Sequence, residues 1–214
     1  MILAIYCAGG LGKEVISLAR SVNRWEEIIF VDDVVLETHK AGARILRFNE
    51  VEAYRGNIEF IIANGEPAAR EKLYRKLKEL EYPMTTLIGS GCSILPETTI
   101  GEGCIIYNSG ISANVKIGCN TLINVNVIIG HDTEIGANCV ISANSFIGGV
   151  SCIDEKVYIA PGALIKDRVH IARSAIVGLG AVILRNVREK AIMVGNPAKR
   201  IGYNTLEKVF NIFE

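Results

Sequence analysis

His131 and Asp132 stand side by side in the stretch VIIGHDTEIG. An imidazole next to a carboxylate is the arrangement a general base needs, because the acid fixes the tautomer and steadies the cation that forms. The pair comes just after Ile129, a member of a regular aliphatic series, which places it at a turn corner rather than in a core. An exposed surface histidine is the competing reading. The remaining histidines, His39 and His170, are far from it in sequence and suggest no three-histidine metal site.

A second constellation sits near the start. Gly9-Gly10-Leu11-Gly12 follows the apolar run ILAIYC and opens the amphipathic segment KEVISLARSV. Such a turn offers unblocked backbone N–H groups to a phosphate, although it lacks the full G-x-G-x-x-G fingerprint. Asp32 and Asp33 end the run IIFVDD and could accept hydrogen bonds from a ribose or a base edge. The plainer alternative is that the glycines make a tight turn and the aspartates cap a loop.

The His131 corner belongs to a six-residue repeat. From Ile111, steps of six land on Ile117, Ile123, Ile129, Ile135, Ile141, Ile147, Ile153, Ile159, Ile165, Ile171, Val177 and Ile183. Ile94, Ile100 and Ile106 keep the step one residue out of phase, so one corner has lost a residue. Two residues before these aliphatics stand small ones such as Cys104, Thr121, Cys139, Ser145 and Ala163. Glycine often follows the aliphatic, and positive φ at the corners is the expected reason. This periodicity predicts a parallel β-helix whose strands bury their aliphatic face only by stacking, about five coils and roughly 25 Å tall.

The Gly-rich turn belongs to a different architecture. Strands ILAIYC, IIFVDD and EFIIAN alternate with helices, the second being EPAAREKLYRKLKEL, which predicts a small open parallel α/β sheet. The expected division is therefore 1–87, a Rossmann-like domain, and 88–214, a β-helix with a C-terminal loop and short helix. GNPAKR is expected to be a loop across the last coils, and LEKVFNIF the helix.

Composition sets further bounds. Lys and Arg balance Asp and Glu at 23 each, so net charge gives no reason to expect a nucleic-acid or anionic-membrane partner. The mean hydropathy of +0.30 is accounted for by β-helix core, no apolar run reaches membrane-spanning length, and a cytoplasmic location is expected. The six cysteines form no CxxC pair and read as small hydrophobes, so no metal is expected.

VIIGHDTEIG together with VGNPAKRI resembles the sialic-acid O-acyltransferase-like family of hexapeptide-repeat sugar acetyltransferases, which includes the UDP-4-amino-sugar N-acetyltransferases. YCAGGLGKEV is similar to that family's YGAGGHGKxV, FVDD to its second-strand ending, Gly65 and Arg70 to a glycine and arginine by the next helix, and TLIGSGCSI to its TLIHPxAxI. The resemblance implies a left-handed β-helix and transfer of acetyl from acetyl-CoA to a nucleotide-linked amino sugar in bacterial surface-glycan biosynthesis. It implies His131 as general base, Asp132 as its acidic partner and Asn124 near the acceptor amine. Gly9, Gly10, Leu11, Asp32, Asp33 and Gly65 would line the sugar-nucleotide site. Gly149, Ala160, Pro161, Leu179, Gly180 and Lys199 would hold acetyl-CoA. A homotrimer with shared active sites is also implied. Two departures stand out: Leu11 replaces the family histidine of GGHG, and Gly89-Ser90 replaces His-Pro. A sugar or sialic-acid O-acetyltransferase, and a non-catalytic trimeric nucleotide-binding scaffold, are the alternatives.

Overall fold

The computed structural model describes residues 1–210. Its N-terminal part is a parallel sheet in the order β3-β4-β2-β1-β5, from β1 (Ile2–Tyr6), β2 (Glu27–Val31), β3 (His39–Lys40), β4 (Ala43–Leu46) and β5 (Ile58–Ile62), with only the β3–β4 pair antiparallel. The short β3–β4 hairpin and a 3-10 helix over Phe48–Tyr54 were not expected from sequence. All five residues of β1 are buried, because both faces of the sheet are covered. Helix α1 (Gly10–Val22) packs Val15, Ile16 and Ala19 against Leu3, Ile5 and Phe30. Helix α2 (Pro67–Glu79) adds Leu77 to the opposite layer with Ile2, Ala4, Ile29 and Phe60.

From Leu87–Ile88 the chain winds into a left-handed β-helix of two-residue parallel strands on three faces. The first face stacks Ile94, Ile111, Ile129, Ile147, Ile165 and Ile183. The second stacks Ile100, Ile117, Ile135, Ile153 and Ile171. The third stacks Ile88, Ile106, Ile123, Ile141, Ile159 and Val177. From Ile88 to Ile183, successive coils are eighteen residues apart except at Ile94–Ile111, Ile100–Ile117 and Ile106–Ile123, where the step is seventeen, as the missing corner residue required. The small slot is inward throughout: Cys104, Val115, Thr121, Val127 and Cys139 are all 0% exposed. Its polar members spend their hydroxyls on the next coil, as Thr121 Oγ1 does on the Gly136 carbonyl at 2.9 Å.

The corner glycines have a different cause from the one expected. A Cβ on Gly118 or Gly136 would lie 2.5 Å from the backbone nitrogen of Ala137 or Glu155, so these positions are glycine because the next coil passes too close for a side chain. Positive φ falls two residues later, at Asn114, Asn120, Asn126, Asp132, Asn138 and Asn144. Asn and Asp tolerate that left-handed conformation better than other side-chain-bearing residues.

The two parts share a core. Ile105, Leu122 and Val140 point out of the third face of the β-helix and are buried in the same cluster as Leu3, Ile5, Val15 and Ile16. Arg70 of α2 is fully buried and bridges the parts. Its Nε donates to the Asn120 carbonyl at 2.8 Å and its Nη2 to Asn120 Oδ1 at 2.8 Å, while Nη1 donates to the carbonyls of Ile62 and Asn64 at 2.8 and 3.0 Å. Desolvation pushes its pKa down to about 10, so it remains a cation at neutral pH, and among the described residues no carboxylate pairs with it.

The C-terminus differs from expectation in two places. GNPAKR is not all loop: Ala191–Val194 pairs antiparallel with Lys199–Tyr203, so Lys199 and Arg200 open a strand and only residues 195–198 make the turn. Leu206–Phe210 makes turns in place of the expected helix, held where Glu66 accepts from the Val209 and Phe210 N–H groups, and the remainder of that expected helix lies outside the described residues.

Candidate active site

His131 sits on the corner between the first and second faces, right after Ile129 and Gly130. Two ladder bonds fix the corner: the His131 carbonyl accepts from Val150 N at 2.8 Å, and Asp132 N donates to the Ala113 carbonyl at 3.1 Å. Asp132 takes the left-handed conformation at φ 56°, which turns its carboxylate back toward the ring. His131 Nδ1 and Asp132 Oδ2 are 2.6 Å apart. With Nδ1–H donating to that carboxylate, the selected tautomer leaves an unprotonated Nε2.

Asp132 is itself held. Asn114, one coil below, donates from Nδ2 to Asp132 Oδ1 at 2.6 Å. The bond to His131, and then that to Asn114, holds the Asp132 carboxyl below the usual carboxylate range. The His131 side chain is 63% exposed, open to a substrate approaching the corner. One coil above lies Gly149, where a Cβ would stand 3.0 Å from His131 Nε2. Gly148 and Val150 donate their N–H groups to the carbonyls of Ile165 and His131, whereas the Gly149 N–H makes no such ladder bond among the described residues. Asn114 escaped notice in the sequence, although the eighteen-residue coil step points from Asp132 straight to it.

The other expected site residues lie elsewhere on the prism. Asn124 occupies the corner between the third and first faces, lining a cleft of about 700 Å³ with Lys13, Glu14, Leu18, Tyr107 and Asn108, and its Oδ1 accepts from Val125 N at 2.7 Å. Ala160, Pro161, Leu179 and Gly180 follow on that same edge, with Gly180 N donating to the Pro161 carbonyl at 3.0 Å and Leu179 75% exposed. Lys199 lines a hollow of about 400 Å³ with Leu184, Arg185 and Pro197. Within one chain, therefore, His131 and Gly149 stand on one edge of the first face and Asn124, Pro161 and Leu179 on the other.

The N-terminal set converges at the carboxyl ends of β1, β2 and β5, where nucleotides bind in open parallel sheets. Asp32 Oδ2 accepts from Ala8 N at 2.8 Å, and Oδ1 from Val34 and Val35 N at 2.9 and 3.0 Å. Burial raises its pKa, but these backbone bonds and Arg47 outweigh that and leave it lowered. Asp32 thus braces the Gly-rich turn. Gly9 and Gly10 have open space where a Cβ would be, whereas one on Gly12 would lie 2.6 Å from the Cys7 carbonyl, so packing demands only Gly12. Leu11 is half-buried against the α1 core. Asp33 faces another way, accepting from the Tyr6 hydroxyl at 3.0 Å and from Phe48 N at 2.8 Å, beside Lys76 at 3.7 Å in a hollow of about 600 Å³. Gly65, in the loop between β5 and α2, lies under the Phe210 ring.

A Rossmann-like domain carried on a β-helix with a histidine–carboxylate corner defines a hexapeptide-repeat transferase. Residues 2–77 match the PglD N-terminal domain, and residues 114–149 match the bacterial transferase hexapeptide (six repeats). WeeI from Acinetobacter baumannii AYE is 30% identical over 94% of this chain and 100% of its own, with a TM-score of 0.89. A perosamine N-acetyltransferase variant from Caulobacter crescentus, solved with CoA and GDP-perosamine, is 25% identical over 94% of this chain and 97% of its own, with a TM-score of 0.88. The acetyltransferase domain of PglB from Neisseria gonorrhoeae FA1090 shares the fold, with 24% identity over 94% of this chain and 99% of that one and a TM-score of 0.89. No curated protein sequence matches the chain. The chain belongs to the hexapeptide-repeat sugar acetyltransferases. Among the described residues, no helix is long and apolar enough to cross a membrane.

Proposed function

We propose that the protein transfers acetyl from acetyl-CoA to the amine of a nucleotide-linked amino sugar, with His131 as general base. The observation that carries this reading is the relay from Asn114 through Asp132 to His131, which leaves Nε2 free beneath Gly149. As the acceptor amine attacks the thioester carbonyl, Nε2 takes its proton and Asp132 stabilises the imidazolium. The Gly149 N–H would donate to the developing oxyanion. Collapse of the tetrahedral intermediate expels the CoA thiolate, which takes the proton back from His131. Gly9, Gly10, Asp33 and Gly65, at the strand ends, would bind the sugar nucleotide, with Asp32 bracing the turn.

The working unit is a homotrimer. Both the third and first faces carry outward apolar residues, but only the third is covered, by the N-terminal domain. On the first face Ile128, Phe146 and Leu164 form a column 47%, 44% and 46% exposed. A second copy packed on that column would bring its own edge against the His131 edge, uniting the halves of the site that one chain keeps apart. Acetyl-CoA would then lie between Gly149 and a neighbouring edge carrying Ala160, Pro161, Leu179 and Gly180, with Lys199 near its phosphates.

The perosamine enzyme binds a GDP-linked sugar, and Leu11 removes a polar group from the Gly-rich turn, so the acceptor is not restricted to UDP sugars. Incubation with acetyl-CoA and UDP-, GDP- and dTDP-linked 4-amino sugars, with free sialic acid alongside, tests the reading by product mass. One amino-sugar nucleotide gaining an acetyl group supports it. Acetylation of sialic acid alone moves the protein to O-acetyl transfer, and nucleotide binding without any acetylation moves it to the scaffold reading.

A further inference from the structure

The second face of the β-helix carries a cluster that the reaction above does not use. Its outward column runs Lys116, Glu134, Cys152, His170, each in register with the next. Cys152 and His170 are one coil apart, and Asp154 follows Cys152 at the edge of that face. His170 Nε2 lies 2.9 Å from Asp154 Oδ1, and Cys152 Sγ lies 3.8 Å from the same oxygen. Sulfur, carboxylate oxygen and ring nitrogen all fall within 4.8 Å of one another.

We propose that Cys152, Asp154 and His170 form a binding site for one thiophilic divalent cation, of which zinc is the biological example. Zinc takes thiolate sulfur at about 2.3 Å and imidazole nitrogen or carboxylate oxygen at about 2.0 Å, so tetrahedral ligation separates nitrogen from oxygen by about 3.3 Å and sulfur from oxygen by about 3.5 Å. The distances present bracket those values, so small side-chain rotations close the site. On binding, the thiol gives its proton to solvent. Thiolate and carboxylate then neutralise the dication, and water completes the tetrahedron.

The site is supported from behind. Asp154 N donates to the Ile171 carbonyl at 2.9 Å, and His170 N donates to Asn186 Oδ1 at 2.9 Å, which fixes the backbone of both ligands. Glu134, one coil below Cys152, adds negative charge, while Arg173 is engaged by Glu155 at 3.2 Å and not by Asp154. Cys152 is the cysteine whose side chain lies on the exposed surface; Cys104 and Cys139 are buried in the core. Ligands at 152, 154 and 170 match no familiar linear metal motif, because one coil separates the first from the third. The bound cation would clip two coils together.

Titration of the metal-stripped protein with Co²⁺ tests this. One equivalent should give the intense visible bands of tetrahedral cobalt and a near-ultraviolet sulfur-to-cobalt charge-transfer band. Cys152→Ser should abolish the charge-transfer band and His170→Ala should abolish or greatly weaken the visible bands, while Cys119→Ser keeps both. Zn²⁺ should displace the cobalt and raise the thermal midpoint of the parent chain but not of Cys152→Ser. A parent protein without the charge-transfer band, or a band that survives Cys152→Ser in a variant with unchanged circular dichroism, overturns the proposal.

Discussion

Gly149 stands directly over His131: a Cβ there would lie 3.0 Å from Nε2 and 3.1 Å from the His131 carbonyl. Gly149→Ala should therefore leave the coil intact but crowd the nitrogen proposed to take the proton. A fall in kcat of about 10- to 100-fold is expected, since small misplacements of reacting groups cost that much. Steady-state kinetics alongside circular dichroism check it, and unchanged kcat would place the reacting atoms elsewhere.

Asn114 and Asp132 act on His131 in series. Asn114→Ala should lower kcat about 3- to 10-fold, the scale of one hydrogen bond. The Asp132 carboxyl is held below the usual range and so is ionised for the proton uptake proposed at His131. Asp132→Asn removes that negative charge and makes the imidazole a weaker base. The acid limb of the pH–rate profile should then move to lower pH, with a lower plateau. A limb that stays in place would remove Asp132 from the relay.

Arg70 joins α2 to the Asn120 corner from full burial. Arg70→Met fills part of the volume but leaves the carbonyls of Ile62, Asn64 and Asn120 without that donor. A loss of about 2–4 kcal/mol in unfolding free energy is expected from urea titration. A variant as stable as the parent would show that the buried cation's desolvation cost cancels its bonds.

Phe146 is the middle of the exposed apolar column on the first face. Phe146→Asp should convert the proposed trimer to a monomer in light scattering and remove activity, although His131 is untouched. A parent protein that is monomeric and active would contradict the shared site.

The β-helix was legible because its period is enforced by stacking: an aliphatic such as Ile129 has to recur at every coil, and even the residue missing between Ile106 and Ile111 could be located. His131 and Asp132 were legible as neighbours in sequence. Asn114 and the Cys152–His170 pair were not read, since contacts across coils join residues seventeen or eighteen positions apart and demand that the repeat be converted to faces first. The corner glycines illustrate the same limit, because the crowding at Gly118 comes from Ala137 on the next coil and not from local φ. The hairpin at Lys199 was hidden by Gly195 and Pro197, which mark its turn but say nothing of the strands on either side.

The most direct test of His131 as base is thiol release from acetyl-CoA, with the amino-sugar nucleotide as acceptor, by the parent protein, His131→Ala and His131→Asn. Loss of about 10²–10⁴-fold in kcat, with acceptor binding retained in both variants, is predicted. Turnover within a few-fold of the parent would contradict the account and leave the histidine a surface residue.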